Sequence, residues 1–287
     1  IKIHLLLNLM MKIIYYEKNL TILPNKTVWI IRFDNFFTPN FTLLISKISE
    51  ALLPNTIGNH IGEGGTFDHF LKEQKNVRFI INGGFNHYRK NFYNWPHQNF
   101  NIGDPVGVAK IREHYYEDFL DIKDYGFFVQ ENKNMPWKII KLNELDKNSK
   151  YILGCTPLLI YQGNALSLPY EKMIPLSKNI INPPSFLGHG MESHQRTAVG
   201  IKNNELYFIL VESNSIENED GCTLLELQSI GLKLELDSFL NLDGGGSSQF
   251  RLWNSDTQSW ISNSVAEKDK YRILGHAIVL FDDELNY

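Results

Sequence analysis

Only two cysteines occur in the 287 residues, Cys155 and Cys222. They can pair only once and lack the CxxC spacing of a zinc or redox site, so neither a disulfide framework nor a zinc module organises the chain. Such sparse use suits a reducing compartment. Long apolar runs are also missing. The longest, Ile1 to Leu9, is broken by Lys2, His4 and Asn8 and falls short of the roughly 20 residues a membrane helix needs, so no membrane partner is expected. Nor is there an excess of positive charge: 28 Lys plus Arg face 32 Asp plus Glu, a net charge of -4. Without a basic field, sequence-independent binding of nucleic acid is excluded. What the chain does have is apolar mass, 43% hydrophobic and 13% aromatic residues, enough to bury a sizeable core and to exclude disorder as its main character.

No repeat and no long Pro, Ser or Gly linker divides the chain, so one domain is expected over residues 12–287, with 1–11 outside it. Lys2 followed by Leu5 to Leu7 resembles the start of a signal peptide, but Tyr15, Tyr16, Glu17 and Lys18 stand where a small-residue cleavage site belongs. Met10 and Met11 mark the first natural start points. With the few cysteines, this points to the cytoplasm; secretion follows if the leading residues are a signal.

Strand-like runs dominate. Ile13 to Tyr16 and Val28 to Phe33, joined across Pro24-Asn25, read as a hairpin, as do Arg196 to Ile201 and Leu206 to Val211 across Asn203-Asn204. Val106 to Ile111 and Gly126 to Val129 are hairpin-like, and Tyr151 to Tyr161 is one buried run closed by Gln162-Gly163. Val77 to Ile81, Phe239 to Leu242 and Ile273 to Phe281 complete the strands. Thr66 is placed to cap a helix through Phe67, Phe70 and Leu71. Thr223 to Ile230 suits a second helix with Leu224, Leu225 and Leu227 inward, ended by Gly231. The expected fold class is α+β: one strand-rich mixed domain with helices packed on the sheet.

The sharpest motif is Asn241-Leu242-Asp243-Gly244-Gly245-Gly246-Ser247-Ser248-Gln249. Glycines after a strand let a ligand approach the main chain. The following amides, with the Ser247 and Ser248 hydroxyls, can form a donor nest for an anion, and Asp243 would stand at its rim. A nucleotide P-loop is excluded by the missing Lys, and a hydrolase elbow by the missing flanking glycine. Gly62-Glu63-Gly64-Gly65 is no dinucleotide fingerprint, because Phe67 stands where the third glycine belongs. Arg196-Thr197-Ala198-Val199-Gly200 places a fixed cation and a fork of donors at the mouth of a strand. Asn82-Gly83-Gly84-Phe85 places an amide able to donate and accept at a strand end, suited to sugar hydroxyls or to a plain turn. His189 and His194 bracket Glu192 at a spacing wrong for one helical face, so no metal site is expected. Tyr88, Tyr93 and Trp95, with His87 and His97, are placed in a loop as a platform for sugar stacking or as packing.

Taken in order, these residues resemble the phosphodiester glycosidase family. The resemblance runs from about Val28 to Val279 through Asn82-Gly83-Gly84-Phe85, Gly103-Asp104-Pro105-Val106-Gly107, Gly154-Cys155-Thr156-Pro157, Arg196 to Gly200, Gly221-Cys222-Thr223-Leu224-Leu225-Glu226-Leu227, Asn241 to Ser248 and the last strand near Arg272. It implies hydrolysis of a sugar 1-phosphodiester, in known members an N-acetylglucosamine 1-phosphodiester, without a cofactor. Asn86 stands where a second aromatic is usual, and Gly275-His276-Ala277 where an Asn precedes the Ala, so the sugar need not be the same.

On this resemblance Asp243 is expected to act at the anomeric carbon, with Glu226 as the reserve carboxylate. Arg196 and the run Gly244, Gly245, Gly246, Ser247 and Ser248 are expected on the phosphate. Asn82, Gly83, Gly84 and Thr197 are expected near the sugar, with Arg272 and His276 at the far wall. The partner is then a small-molecule or glycan phosphodiester. The other readings are a non-catalytic module binding a phosphorylated or anionic glycan, and a hydrolase of another glycosyl phosphate such as a nucleotide sugar. Oligomeric state is left open.

Overall fold

The computed structural model describes residues 14–19, 22–23, 26–34, 41–48, 66–86, 105–111, 113–117, 125–133, 135–168, 192–213, 221–263 and 274–282. Arg272, the aromatic loop with His87, Tyr88, Tyr93, Trp95 and His97, the loop Gly62 to Gly65, and His189 lie outside them.

Three antiparallel sheets carry the fold. The first holds seven strands in the order β1 (Ile14–Asn19), β2 (Val28–Asp34), β13 (Glu205–Val211), β12 (Arg196–Lys202), β14 (Ser238–Asn241), β10 (Leu158–Tyr161) and β11 (Asn164–Ala165). The second runs β16 (Ser259–Ser262), β15 (Phe250–Asn254), β4 (Val77–Asn82), β17 (His276–Asp282) and β3 (Phe41–Lys47). The third runs β6 (His114–Glu117), β5 (Val108–Ile111), β9 (Tyr151–Cys155), β7 (Gly126–Gln130) and β8 (Lys138–Lys141). Side chains from all three meet in one core. Phe208 of the first sheet lies 5.2 Å from Phe79 of the second and 6.5 Å from Phe128 of the third, centroid to centroid. Such pairs add about 1 kcal/mol each beyond the area they bury.

Two α-helices are present among the described residues, so the strand-rich character expected is found, but the fold is mostly β and not clearly α+β. Both do pack on sheets. The helix α1 (Phe67–Glu73) starts at Thr66, whose Oγ1 accepts the His69 N–H at 3.2 Å, and Phe67 and Phe70 pack against Val77, Ile80 and Val279 of the second sheet. The helix α2 (Leu224–Lys233) sets Leu224, Leu227 and Ile230 on Ala198, Ile209 and Phe239 of the first.

Both expected hairpins form: Ile14 pairs with Phe33, and Lys202 with Glu205 around Asn203-Asn204. Four details differ. Leu225 is 55% exposed, and Gly231 lies inside α2 because a Cβ there would stand 2.6 Å from Phe239 Cδ1. The last turn is closed instead by Leu234 and Glu235, the latter at φ 55°. The run Tyr151 to Tyr161 is two strands in two sheets, divided at Thr156-Pro157. Gly126 to Gln130 pairs with β8 and β9, not with β5.

The fold has two ends of different character. Asn241 pairs through Ala198 with the start of β12, while Asn82 and Ile81 at the end of β4 pair with Ala277 and Phe250 at the starts of β17 and β15. These strand ends converge. The tight turns Gln162-Gly163 and Asn203-Asn204 lie at the opposite ends of β10 and β12.

Candidate active site

Asn82 joins the converging ends. Its Nδ2 donates to the carbonyls of Asp243 at 2.8 Å and Gly83 at 3.3 Å, and its Oδ1 accepts from Thr197 Oγ1 at 2.9 Å and the Gln249 N–H at 3.2 Å. The residue is 1% exposed, so each of these bonds forms away from competing water. One amide thus ties β4 to β12 and to both sides of the glycine loop. With its hydrogen-bonding capacity spent on the protein, Asn82 positions the site, in place of the expected contact to sugar hydroxyls. Thr197, with no exposed surface, serves the same clamp.

The ladder between β12 and β14 pairs Ala198 with Asn241, and it continues with the Leu242 N–H on the Thr197 carbonyl at 2.8 Å. Two residues beyond Asn241, Asp243 therefore comes opposite Arg196. The cation and the carboxylate singled out by sequence are cross-strand neighbours. The Asp243 N–H donates to the Gly83 carbonyl at 3.1 Å, which crosses from the first sheet to the second.

Arg196 is 6% exposed and held by carbonyls: Nε donates to Cys222 at 3.0 Å and Nη2 to Glu192 at 2.9 Å. Its Nη1 lies 4.0 Å from where a Cβ on Gly244 would stand, which directs the guanidinium toward the glycine loop. A side chain at 244 would also press on the Gln195 carbonyl at 2.9 Å, and Gly245 adopts φ 58°, so neither position tolerates another residue without strain.

The glycine loop does not build the expected donor nest. Gly244 N–H donates to Asp243 Oδ1 at 2.9 Å, Gly245 N–H to Gln195 O at 2.8 Å, Ser247 N–H to Gly244 O at 3.2 Å, and Ser248 N–H to Gly245 O at 3.1 Å. Ser247 and Ser248 have no exposed surface. The Ser247 and Ser248 amides close a one-turn 3-10 helix, Gly245–Ser247, while those of Gly244 and Gly245 are taken by Asp243 and Gln195. Arg196 is the one buried cation beside this loop among the described residues. The half-buried Gly244 to Gly246 still leave the main chain open to a ligand's approach.

Gly83 and Gly84 form a turn against His276. The Gly83 N–H donates to the His276 carbonyl at 3.3 Å, and the Gly84 N–H to His276 Nε2 at 3.1 Å. That last bond places the proton of a neutral ring on Nδ1. A Cβ on Gly83 would lie 2.5 Å from His276 Cδ2, so glycine is what lets the ring sit there. His276, 1% exposed, shapes the turn behind Asp243.

Glu226 is placed elsewhere. As the third residue of α2 it completes a capping box, its Oε2 accepting the Thr223 N–H at 2.8 Å, and it lies 3.5 Å from Lys26 Nζ. Burial pulls its carboxyl up, but the Thr223 N–H and the Lys26 charge outweigh this and hold it below the ordinary carboxylate value. Lys26 also donates to the Gly221 carbonyl. The pair therefore braces the turn whose Cys222 carbonyl holds Arg196. Glu226→Ala is expected to cost about 1 kcal/mol, or about 2 °C of melting temperature, read by calorimetry. Since the folded carboxyl titrates below the unfolded one, this contribution is present above the unfolded value of about 4.3 and is lost as pH falls through the folded value.

Both thiols are buried, and burial pushes Cys222 up to about 12 despite Arg196 nearby, and Cys155 further still. Neither is a nucleophile at neutral pH. His194 Nε2 meets Glu192 Oε2 at 2.9 Å, and no group of three or more metal-binding side chains occurs among the described residues.

Sequence reasoning missed Asn263 and Glu212 at this end and gave Gln249 no role of its own. Asn263, with no exposed surface, donates to the Ser248 carbonyl at 2.9 Å and accepts the Phe250 N–H at 3.1 Å, fixing the exit of the glycine loop. Gln249 pairs with Asn82. Glu212, 2% exposed, follows β13 and accepts from Trp29 Nε1 at 2.7 Å. A carboxylate directly after an apolar strand, Leu206 to Val211, was the signal available for Glu212.

Known proteins share the fold. The chain is similar in structure to the zebrafish N-acetylglucosamine-1-phosphodiester alpha-N-acetylglucosaminidase catalytic domain auto-inhibited by its pro-peptide, with a TM-score of 0.56 and 14% identity over 89% of this chain and 77% of that one. It is also similar to a hypothetical protein from Synechocystis (TM-score 0.52, 12% identity, 90% of this chain), of whose length it spans 59%. A putative exported protein from Burkholderia pseudomallei gives a TM-score of 0.51 at 12% identity, over 89% of this chain and 74% of that one. At such identities the likeness establishes the fold alone. No curated protein matches by sequence. The family model of the phosphodiester glycosidases matches residues 75–281, which takes in every strand from β4 to β17, and the chain belongs to that family.

Proposed function

We propose that this protein hydrolyses the bond between the anomeric carbon of a sugar and a phosphodiester, releasing free sugar and a phosphomonoester. The observation that carries the reading is the cross-strand placement of Arg196 opposite Asp243 at the convergence of the strand ends, in a chain of the phosphodiester glycosidase family. The leaving group is already a stable anion, so a strong general acid is not required. What the transition state needs is a cation for the charge gathering on the phosphate and an anion for the oxocarbenium-like sugar.

Arg196 fits the first need because its guanidinium is fixed in advance by the Cys222 and Glu192 carbonyls and needs no reorganisation during the reaction. Asp243 fits the second, its backbone gripped on both sides by Asn82 and Gly83. In the reaction the C1–O bond to phosphate breaks with its electron pair staying on the phosphate oxygen. A water oxygen bonds to C1, and its proton passes to a base.

The test is a panel of α-linked hexosamine phosphodiesters, nucleotide sugars, wall-polymer linkages and neutral aryl glycosides, with the products followed by proton and phosphorus NMR. Free sugar and phosphomonoester from at least one glycosyl phosphodiester are expected, with neutral glycosides poor substrates. Binding without any turnover across the panel would mark a glycan-binding module and end the proposal.

A further inference from the structure

Resting on the hydrolytic reading above, we infer that the second carboxylate of the reaction is Glu212, which acts as the base that takes the proton of the attacking water, with Gln195 orienting that water.

Among the described residues three carboxylates are buried: Glu212 at 2%, Asp243 at 6% and Asp282 at 9% exposure. Asp282 is at the far end of β17, paired with Arg78 at 3.0 Å. That leaves Glu212 and Asp243 at the converging end. A carboxylate taken out of water is costly, and such groups concentrate where their chemistry is used. Glu226, the other acidic candidate, is committed to its capping box.

The sheet places Glu212 close to the site. The register between β12 and β13 pairs Arg196 with Val211, so one step on Glu212 faces Gln195. On its other side the Glu212 N–H donates to the Thr27 carbonyl at 2.9 Å, so the strand order is kept to this point. β12 alone separates the backbones of β13 and β14, a distance of about 10 Å across two strand spacings.

The side chain is aimed by its neighbours. Trp29 Nε1 donates to Glu212 Oε1 at 2.7 Å, and the indole is itself held edge-on to Phe250 at 5.1 Å, the first residue of β15 after the glycine loop. Gln195, opposite, is 6% exposed, and its Oε1 is buried without a hydrogen-bond partner among the described residues. Buried acceptors ordinarily have a donor. A water between Gln195 Oε1 and the Glu212 carboxylate would give one hydrogen to each. In the step proposed, the hydrogen on Glu212 is transferred to the carboxylate as the water oxygen bonds to C1 and the phosphate leaves. The proton is then returned to solvent.

The test uses Glu212→Gln, which keeps an oxygen for Trp29 Nε1 and removes the base, and Gln195→Met, which removes the unpaired acceptor at similar volume. On a glycosyl phosphodiester cleaved by wild type, Glu212→Gln is expected to lower kcat about a hundredfold with little change in KM. Added azide, which needs no deprotonation, should restore turnover and give glycosyl azide. Gln195→Met is expected to lower kcat about tenfold with an unchanged or higher melting temperature, because it buries no unpaired oxygen. If Glu212→Gln stays as active as wild type, or loses activity without azide rescue, the inference falls while the hydrolytic reading stands. A wild type that cleaves no glycosyl phosphodiester overturns both.

Discussion

Asp243→Asn is expected to abolish nearly all turnover of a glycosyl phosphodiester, a loss of about a thousandfold or more in kcat, equivalent to about 4 kcal/mol of transition-state stabilisation. The substitution is close to isosteric. Asn keeps an oxygen to accept the Gly244 N–H, and the backbone bonds to Asn82 and Gly83 do not involve the side chain. Only the negative charge is removed. The change should therefore leave the melting temperature within a degree or two while turnover falls, a separation read by calorimetry beside single-turnover kinetics. Equal sugar release by wild type and variant would remove Asp243 from the reaction.

Arg196→Lys should cost several hundredfold in kcat/KM on phosphodiesters, in the range seen when one preorganised donor is removed. The guanidinium now spans three directions at once, two of them to the Cys222 and Glu192 carbonyls and the third toward Gly244. A lysine ammonium carries the same charge on a single point and cannot keep both carbonyls while reaching the loop. Neutral aryl glycosides, which gather less charge on the leaving group, should lose much less. An equal loss on both substrate classes would assign Arg196 a purely structural role.

The parts of this arrangement legible in sequence were those built from local chemistry. Thr66 announced its helix because a cap needs only the next three residues, and Asn203-Asn204 announced its hairpin because a two-residue turn does too. Arg196 and Asp243 stood out as residue types at strand mouths, although nothing local says that they face each other. That depends on a register between strands about 40 residues apart. The glycine loop was misread for the same reason. Its amides are absorbed by partners such as Gln195 O and Asn82 Oδ1, which belong to other strands, and no local pattern reveals them.

Glu226 shows the opposite error. Its motif looked chemical, whereas its position three residues after Thr223 already described a capping box. Gly231 was assigned to the end of α2 on a general preference, but the close approach of Phe239 and Ile160 makes it an interior helix residue. Local contact decided for Glu226, tertiary contact for Gly231.

The segregation of the tight turns from the converging strand ends makes the molecule easy to hold. The Asn203-Asn204 turn is seven residues of β12 away from Arg196, about 20 Å along the strand. A tag, a surface tether or a new pair of chain termini introduced there would sit at the opposite end of β12 from Arg196. An immobilised or permuted form attached at that turn should thus keep the access that substrate has in the free protein.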